Sequence, residues 1–241
     1  MEKIPALEDF LSEQRLLVIS PHADDETAGA GGLMSRVKEA GGEVYVMVLT
    51  VGDLKHYDQH EGNTSANTRA NELANAMRVL GVDEWEICYN DSDIHLRLDA
   101  IPRRDLVSKI ERDSKLAIDR IKPTILVLPA PSFNQDHEVL YKAGLTAARP
   151  HLASMKPFQR TVLVMDAPQL AWGSYSFRPN FYVNITGCLE KKLEAYRCHQ
   201  SQLRPDPHQG GVEALRILAQ ARGREISVEA AEAFECLRFV F

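Results

Sequence analysis

A short apolar run that stops at a proline and leads straight into a cluster of metal-binding side chains constrains this chain more than any other feature. Residues 16–19, Leu-Leu-Val-Ile, have the length and character of a buried strand, and the strand ends at Ser20 and Pro21 because proline has no N–H to donate to a central ladder. The next five positions carry four groups that bind metals or move protons, namely His22, Asp24, Asp25 and Glu26. Ligands of open α/β sheets bind beyond the carboxyl ends of the strands, so we expect the functional site here.

The spacing within this loop suits a metal site. His22 and Asp25 lie three positions apart at a tight turn and can converge on one ion, and imidazole and carboxylate are ligand types that zinc accepts. Asp24 lies between them and points elsewhere, which suits a base that takes a proton from the attacking water without being a ligand. The simpler alternative is a polar loop in which Asp24 or Asp25 caps the following helix, and for this motif alone that alternative is favoured.

The rest of the chain alternates strand-like and helix-like segments. Strands are predicted at residues 43–50, 85–89, 124–128, 161–165 and 237–241. Helices are predicted at residues 33–40, 68–80, 105–121, 139–148, 189–202, 212–221 and 228–234. This alternation predicts an α/β fold with an open, mostly parallel, Rossmann-like sheet and helices on both faces. No internal repeat or linker interrupts the 241 residues, so we expect a single domain, 1–241.

A dinucleotide-binding loop is a competing interpretation of Gly29 and Gly31. Its fingerprint needs a first glycine directly after the strand and an acidic residue about 20 positions further on. In this chain a histidine and three acids occupy the positions where a pyrophosphate would lie, and their charge would repel it. The metal-site interpretation is therefore preferred.

Composition and charge narrow the class of protein. The formal net charge of −6 argues against a surface that coats nucleic acid, which needs clustered Lys and Arg. The longest apolar runs, such as residues 44–51, fall short of the roughly 20 residues that span a bilayer. The first ten residues lack the apolar core of a signal peptide, and the four cysteines include no C-x-x-C pair. We expect a cytoplasmic protein that acts on a small molecule, with no nucleic-acid and no membrane partner.

Two motifs together resemble one known family. Residues 21–26, Pro-His-Ala-Asp-Asp-Glu, with the glycines that follow, resemble the signature loop of the LmbE-like family, also called PIG-L deacetylases. Residues 134–137, Asn-Gln-Asp-His, resemble the family's second motif. Position 23 is Ala where the family commonly has Pro. Further similarities span most of the chain, at residues 69–72, 146–150, 177–180, 199–202 and 231–234.

This resemblance implies a fold, a cofactor and a reaction. The family contains metal-dependent enzymes, usually with zinc, that remove the acetyl group from N-acetylglucosamine-type amino sugars. The resemblance thus implies an LmbE-like fold, a Zn2+ site that other divalent transition metals can also occupy, and a small N-acetylated sugar that is converted to a free amine and acetate. It makes His137 the third metal ligand beside His22 and Asp25, and Asp24 the base.

The second motif contributes two more candidate catalytic residues. Asp136 is suited to accept the N–H of an imidazole and fix its tautomer, but the sequence does not say which imidazole. Asn134 replaces a histidine that many family members use as general acid or oxyanion stabiliser. Its amide can donate a hydrogen bond to an oxyanion but cannot deliver a proton. Either Asp24 passes its proton to the leaving amine, or His199 or His208 substitutes.

Three residues are predicted to bind substrate. Arg69 opens a helix, where the dipole disfavours a cation, and it matches a family arginine that contacts substrate hydroxyls. The family also has a substrate-binding aspartate near residues 90–99, and Asp93 is preferred there over Asp91 and His95. His199 is the third, from the C-terminal part of the chain.

Two other functions remain open at this point. A related metal-dependent amidase acting on another sugar amide or thiol conjugate would keep every ligand and differ in the loops at residues 52–68 and 167–180. The second loop carries Trp172, Tyr175 and Phe177, whose rings either stack on sugars or fill the core. A non-catalytic sugar- or nucleotide-binding module is the other alternative. The sequence leaves open a homo-oligomer and a nucleotide-linked substrate.

Overall fold

The computed structural model describes residues 5–56 and 62–240. Its strands are β1 (Arg15–Ser20), β2 (Glu43–Val51), β3 (Leu54–Lys55), β4 (Asn63–Thr64), β5 (Glu84–Asn90), β6 (Ile125–Pro129), β7 (Thr161–Met165), β8 (Phe181–Asn184) and β9 (Ala231–Phe239). Its α-helices are α1 (Pro5–Ser12), α2 (Asp25–Ala40), α3 (Ala66–Leu80), α4 (Arg103–Ser108), α5 (Ile118–Ile121), α6 (Gln135–Ala147), α7 (Leu189–Arg197) and α8 (Val212–Glu225). Among the described helices, none is long and apolar enough to cross a membrane.

Seven strands form one sheet in the order β5-β2-β1-β6-β7-β9-β8, while β3 and β4 pair separately. The five strands from β5 to β7 are parallel, and β9 is antiparallel to both of its neighbours. Alternate residues of β1 point to opposite faces: Val18 packs in the core cluster with α2 and α3, and Leu17 in the cluster with α4 and α6. The predicted mostly parallel α/β sheet with helices on both faces is confirmed.

The strand order creates a crevice at the centre of the sheet. From β1 the chain moves outward to β2 and β5, and it then returns to add β6 on the other side of β1. Such a reversal is the topological switch point where open α/β sheets bind ligands. The loops that leave the carboxyl ends of β1 and β6 carry the two motifs of the sequence, so the topology brings them together.

The predicted helix at residues 228–234 is wrong, because this segment begins strand β9. Its alanines and glutamates favour a helix locally. In the structure Ala231 pairs with Asn184 of β8, and Phe234 lies between Phe181 of β8 and Met165 of β7. Pairing on both sides and full burial of Phe234 outweigh the local preference.

Other boundaries also differ from the predictions. The predicted helix at residues 105–121 is divided into α4, a π-helical turn at Lys109–Asp113 and α5. The predicted helix at 189–202 ends at Arg197, and the one at 33–40 begins earlier, at Asp25. The signature glycines therefore lie inside α2 rather than in the loop before it.

Candidate metal and catalytic site

Two loops at neighbouring strand ends bring three metal-ligand side chains to one point. His22 lies in the loop after β1, Asp25 is the first residue of α2, and His137 lies in the first turn of α6 after β6. One possible ligand atom from each of the three lies within 4.8 Å of the others. All three predicted ligands therefore meet, although 112 or more residues separate His137 from the other two.

The distances in this cluster fit a metal ion. The Oδ2 atom of Asp25 lies 3.3 Å from Nδ1 of His22 and 3.3 Å from Nε2 of His137. Bonds of about 2.0–2.1 Å in a tetrahedral site place neighbouring ligand atoms about 3.3 Å apart. The side chains are thus close enough to share one ion, and two imidazoles with one carboxylate suit a divalent transition metal.

Asp136 orients one of the candidate ligands. Its Oδ2 atom lies 2.9 Å from Nε2 of His22, and its Oδ1 atom accepts the backbone N–H of Leu98 at 2.9 Å. The carboxylate is completely buried, and it accepts the Nε2–H of His22, so the Nδ1 edge of the ring is turned toward Asp25. The predicted role of Asp136 in holding an imidazole thus has a definite partner in the structure.

The electrostatics of the cluster favour a cation. Burial alone would lower the pKa of His22, but the carboxylates of Asp136 and Asp25 raise it to about 9. Burial would raise the pKa of Asp25, but His137 and His22 hold it well below its usual range. Two carboxylates that stabilise positive charge on the imidazoles provide an environment that also suits a divalent cation.

Asp24 is held in a conformation that amino acids other than glycine rarely adopt. Its φ of 137° and ψ of −35° lie outside the ordinary regions, and such strain is characteristic of functional sites. Its side chain makes no capping hydrogen bond to α2, so the simpler role of a helix cap does not apply. Burial and the charge of Asp25 raise the pKa of Asp24 to about 7, which suits a group that exchanges protons near neutral pH.

A cavity of about 270 Å³ opens above the cluster. Its walls include Asp24, Arg69, His95, Asn134 and His208 together with the three candidate ligands. Arg69 is 3% exposed and donates through Nη1 to the carbonyl of Gly52 at 3.2 Å. Its Nε is buried and has no hydrogen-bond partner among the described residues.

His95 is a site residue that sequence reasoning did not select. Its Nε2 atom lies 2.5 Å from Nη1 of Arg69, and its Nδ1 atom lies 3.1 Å from Oγ1 of Thr50. A guanidinium only donates, so Nε2 accepts and the ring proton lies on Nδ1. Burial and the neighbouring Arg69 lower the pKa of His95 to about 3, which keeps the ring neutral.

Asp93 does not reach the cavity. It is exposed, and its backbone N–H closes a turn on Oδ1 of Asp91. His95 instead reaches the cavity wall from the same loop, which is the correction that the structure makes to the preference for Asp93.

The remaining predicted residues divide between the cavity and the structure behind it. Asn134 lines the cavity, but its Oδ1 atom caps α6 by accepting the N–H of Asp136 at 2.9 Å, which leaves its NH2 group as donor. His199 is 1% exposed and lies behind the signature loop, where its Nε2 atom is 3.3 Å from Oε1 of Glu26. Of the two histidines considered as replacements for a catalytic one, the structure places His208 at the cavity.

Both motifs lie within the part of the chain that matches a known protein family. The family model PIG-L, described as GlcNAc-PI de-N-acetylase, matches residues 17–148, which is more than half of the 241-residue chain. The chain belongs to the PIG-L family. This PIG-L protein is 26% identical over 227 residues to a diacetylchitobiose deacetylase of Thermococcus kodakarensis, and the match covers 90% of this chain and 80% of the relative. The resemblance predicted from the motifs is confirmed.

Solved structures extend the comparison to the fold. The N,N'-diacetylchitobiose deacetylase of Pyrococcus horikoshii superimposes with a TM-score of 0.68 at 23% identity, covering 98% of this chain and 95% of that one. A 4-carboxy-2-hydroxymuconate hydratase of Pseudomonas putida KT2440 superimposes with a TM-score of 0.72 at 19% identity, covering 95% and 98%. Similarity at this level establishes a shared fold, and the two named activities differ, so function has to be argued from the site.

Proposed function

We propose that this PIG-L protein is a zinc-dependent N-deacetylase that hydrolyses the acetamide of an N-acetylglucosamine-type sugar to a free amine and acetate. The observation that carries the proposal is the convergence of His22, Asp25 and His137 beside a half-buried aspartate with a pKa of about 7. The family and the name of the Thermococcus relative support the reaction class. A divalent metal held by the three ligands would lower the pKa of a water and polarise the amide carbonyl.

Asp24 is the base in this proposal. It lines the cavity next to Asp25 and is not one of the three described residues whose candidate ligand atoms lie together. It removes one proton from the attacking water while the water oxygen bonds to the acetamide carbon. The same proton is available for the nitrogen that leaves when the C–N bond breaks, so the products are an amine and acetic acid, which loses the second water proton to become acetate at neutral pH.

Asn134 and Arg69 provide hydrogen-bond donors on the cavity wall. The NH2 of Asn134 is left free by the helix cap and suits the developing oxyanion. The guanidinium of Arg69, which lines the cavity, suits a sugar hydroxyl. The Nδ1 atom of His208 accepts the N–H of Gly210 at 2.9 Å, so Nε2 of the neutral ring carries a hydrogen that it can donate as a hydrogen bond to the substrate.

The dimensions of the cavity suit one sugar ring with its acetamide. At about 270 Å³ it lies at the lower limit of the roughly 300–1,000 Å³ that hold drug-sized ligands. Any group attached to that ring would lie at the mouth, where Phe133 lines the cavity and is 61% exposed. Trp172 is 77% exposed on the adjoining loop, whose Gly173 lies against the backbone of Ser132 and Phe133. Aromatic rings exposed in this way stack on sugar faces.

The test is a panel of N-acetyl sugars, free and nucleotide-linked, with detection of both acetate and primary amine. We expect release of the two products in equal amounts, loss of release with a chelator, and recovery when zinc is restored. Release of an amine with a different acid would favour the related amidase. Binding without turnover would favour a non-catalytic module, and turnover that a chelator does not affect would contradict the metal assignment.

A further inference from the structure

We infer that Glu26, held by His199, positions the proposed base Asp24. This buried pair affects catalysis only by fixing the conformation of Asp24. The inference deepens the proposed function and rests on it. Neither side chain faces the cavity, so each is a positioning residue. The observations that support this are the strained backbone of Asp24 and the set of hydrogen bonds that converge on Glu26 from behind it.

The backbone of Asp24 is fixed from both sides. Its N–H donates to Oε2 of Glu26 at 3.0 Å, and its carbonyl accepts the N–H of Ala28 at 2.9 Å. A residue other than glycine with a φ of 137° is strained and persists only where the surroundings over-determine its conformation. The second bond belongs to the regular ladder of α2 and is available to any residue there. The bond to Glu26 is the specific one.

Glu26 is itself held by three side chains and is completely buried. Its Oε1 atom accepts the hydroxyl of Thr27 at 2.8 Å and lies 3.3 Å from Nε2 of His199. Its Oε2 atom, which also receives the N–H of Asp24, lies 3.4 Å from Oγ of Ser20 at the end of β1. The carboxylate is therefore fixed at both oxygens and cannot follow Asp24 into a relaxed conformation.

His199 carries this support from a distant part of the chain. It follows α7, is 1% exposed, and lies 3.4 Å from Oγ1 of Thr27 as well as 3.3 Å from Glu26. The segment that contains it is anchored at Ser201, whose backbone N–H and hydroxyl both donate to the carboxylate of Glu72 on α3, at 2.9 and 2.6 Å. Residues 199–202, one of the motifs of the sequence, thus serve the site from behind.

The test compares two buried carboxylates that accept backbone N–H groups at different places: Glu26, in the first turn of α2, and Glu232, which lies against the middle of α2. Glu26→Ala removes the acceptor for Asp24, whereas Glu26→Gln keeps an oxygen for that N–H. Glu232→Ala is the matched control, because Glu232 is also buried, accepts the N–H groups of Gly32 and Leu33 at 2.7 Å each, and pairs with Lys192 at 2.7 Å. If Glu26→Ala acted only by destabilising α2, Glu232→Ala should lower kcat by a similar factor.

We expect Glu26→Ala to lower kcat about 100-fold with unchanged KM and unchanged zinc per chain, since misplacing a reacting group by about 1 Å has that cost. Glu26→Gln should retain most of kcat, and Glu232→Ala should stay within about threefold of the wild type. Equal losses at positions 26 and 232, or an undiminished kcat in Glu26→Ala, would overturn the inference. If Glu26→Ala does not fold, His199→Leu decides, with an expected loss of about tenfold in kcat.

A second readout does not depend on turnover. In a crystal structure of Glu26→Ala we expect Asp24 to leave the region near φ of 137°, while the Glu232→Ala structure retains it. A variant that keeps the same Asp24 conformation without Glu26 would contradict the positioning role. The proposed function fails separately, when the wild-type protein releases no acetate from any sugar of the panel.

Discussion

The Nε2 atom of His22 lies 2.9 Å from Oδ2 of Asp136, and this contact joins the two motifs of the chain. It links the loop after β1 to the first turn of α6, and it orients the ring of His22 so that Nδ1 faces Asp25. The other oxygen of Asp136 accepts the N–H of Leu98, so the carboxylate is fixed before any ion binds. The geometry therefore makes Asp136 the residue on which the proposed metal affinity should depend most, after the ligands themselves.

We expect Asp136→Asn to weaken zinc binding about 10- to 100-fold, because the amide no longer stabilises His22 as a ligand through a charged hydrogen bond. Calorimetric titration of the metal-free protein with zinc measures this. Asp93→Asn is the control, since Asp93 is exposed and lies outside the cavity wall. Equal affinities in Asp136→Asn and the wild type would contradict the supporting role of Asp136.

Asp24→Asn should reduce kcat by about 10²- to 10⁴-fold, the usual contribution of a general acid or base, while zinc content stays at the wild-type level. The amide cannot take a proton from water, and Asp24 is not among the three candidate ligands. Metal analysis and acetate release on the same preparation check both parts. Activity that survives this substitution would remove Asp24 as the base.

His95→Phe should raise KM for the sugar about tenfold with little change in zinc content. The substitution removes the acceptor that holds Nη1 of Arg69, and a hydrogen bond to a charged group contributes about 1.5–3 kcal/mol. Steady-state kinetics on one N-acetyl sugar measure the effect. Asp93→Ala should leave KM unchanged, and an equal rise in both variants would favour the residue preferred from the sequence.

Trp172→Ala should weaken binding of a disaccharide but not of the corresponding monosaccharide. Ring stacking of this kind contributes about 0.5–1.5 kcal/mol, so KM should rise roughly 2- to 12-fold for the longer substrate alone. Phe177→Ala is a suitable contrast, because Phe177 packs against the guanidinium of Arg222 at 5.7 Å instead of lying at the mouth. A uniform rise for both substrates would argue against a subsite at Trp172.

Glu111 lies outside the candidate metal site and makes a pH-dependent contribution to the free energy of unfolding. Burial would raise the pKa of Glu111, but Lys156 at 2.6 Å and Arg149 at 2.5 Å lower it below its ordinary value. A lowered folded-state pKa stabilises the protein above the unfolded value of about 4.3, and this contribution is lost as the pH falls. Glu111→Gln should therefore cost about 2 kcal/mol of unfolding free energy at pH 7 and progressively less below about pH 4.5.

Urea denaturation of the wild type and Glu111→Gln at pH 7 and pH 4 tests this sign. A difference that grows as the pH falls would contradict the assignment. Glu138→Gln is the matched surface control, since its pair with Lys142 is half exposed and should change stability little at either pH.

Local sequence determined the parallel core and pointed to the three candidate ligands. Continuous apolar runs such as residues 16–19 predict buried parallel strands, and a proline followed by His22 and Asp25 marks a functional strand end, because both signals depend only on neighbouring residues. Since parallel strands share a carboxyl edge, the second motif at residues 134–137 could be placed at the same edge. The alternation of strands and helices, and the residues that end each strand, depend on neighbouring residues, so the sequence alone predicts them.

The tertiary structure decided which way the loop side chains point and which distant residues they contact. The sequence does not say that Asp136 holds His22, that His95 rather than Asp93 turns inward, or that Glu26 fixes the backbone of Asp24, because loop side chains take their direction from contacts far along the chain. The same reason explains β9: residues 231–234 favour a helix on their own, and only two neighbouring strands make them a strand.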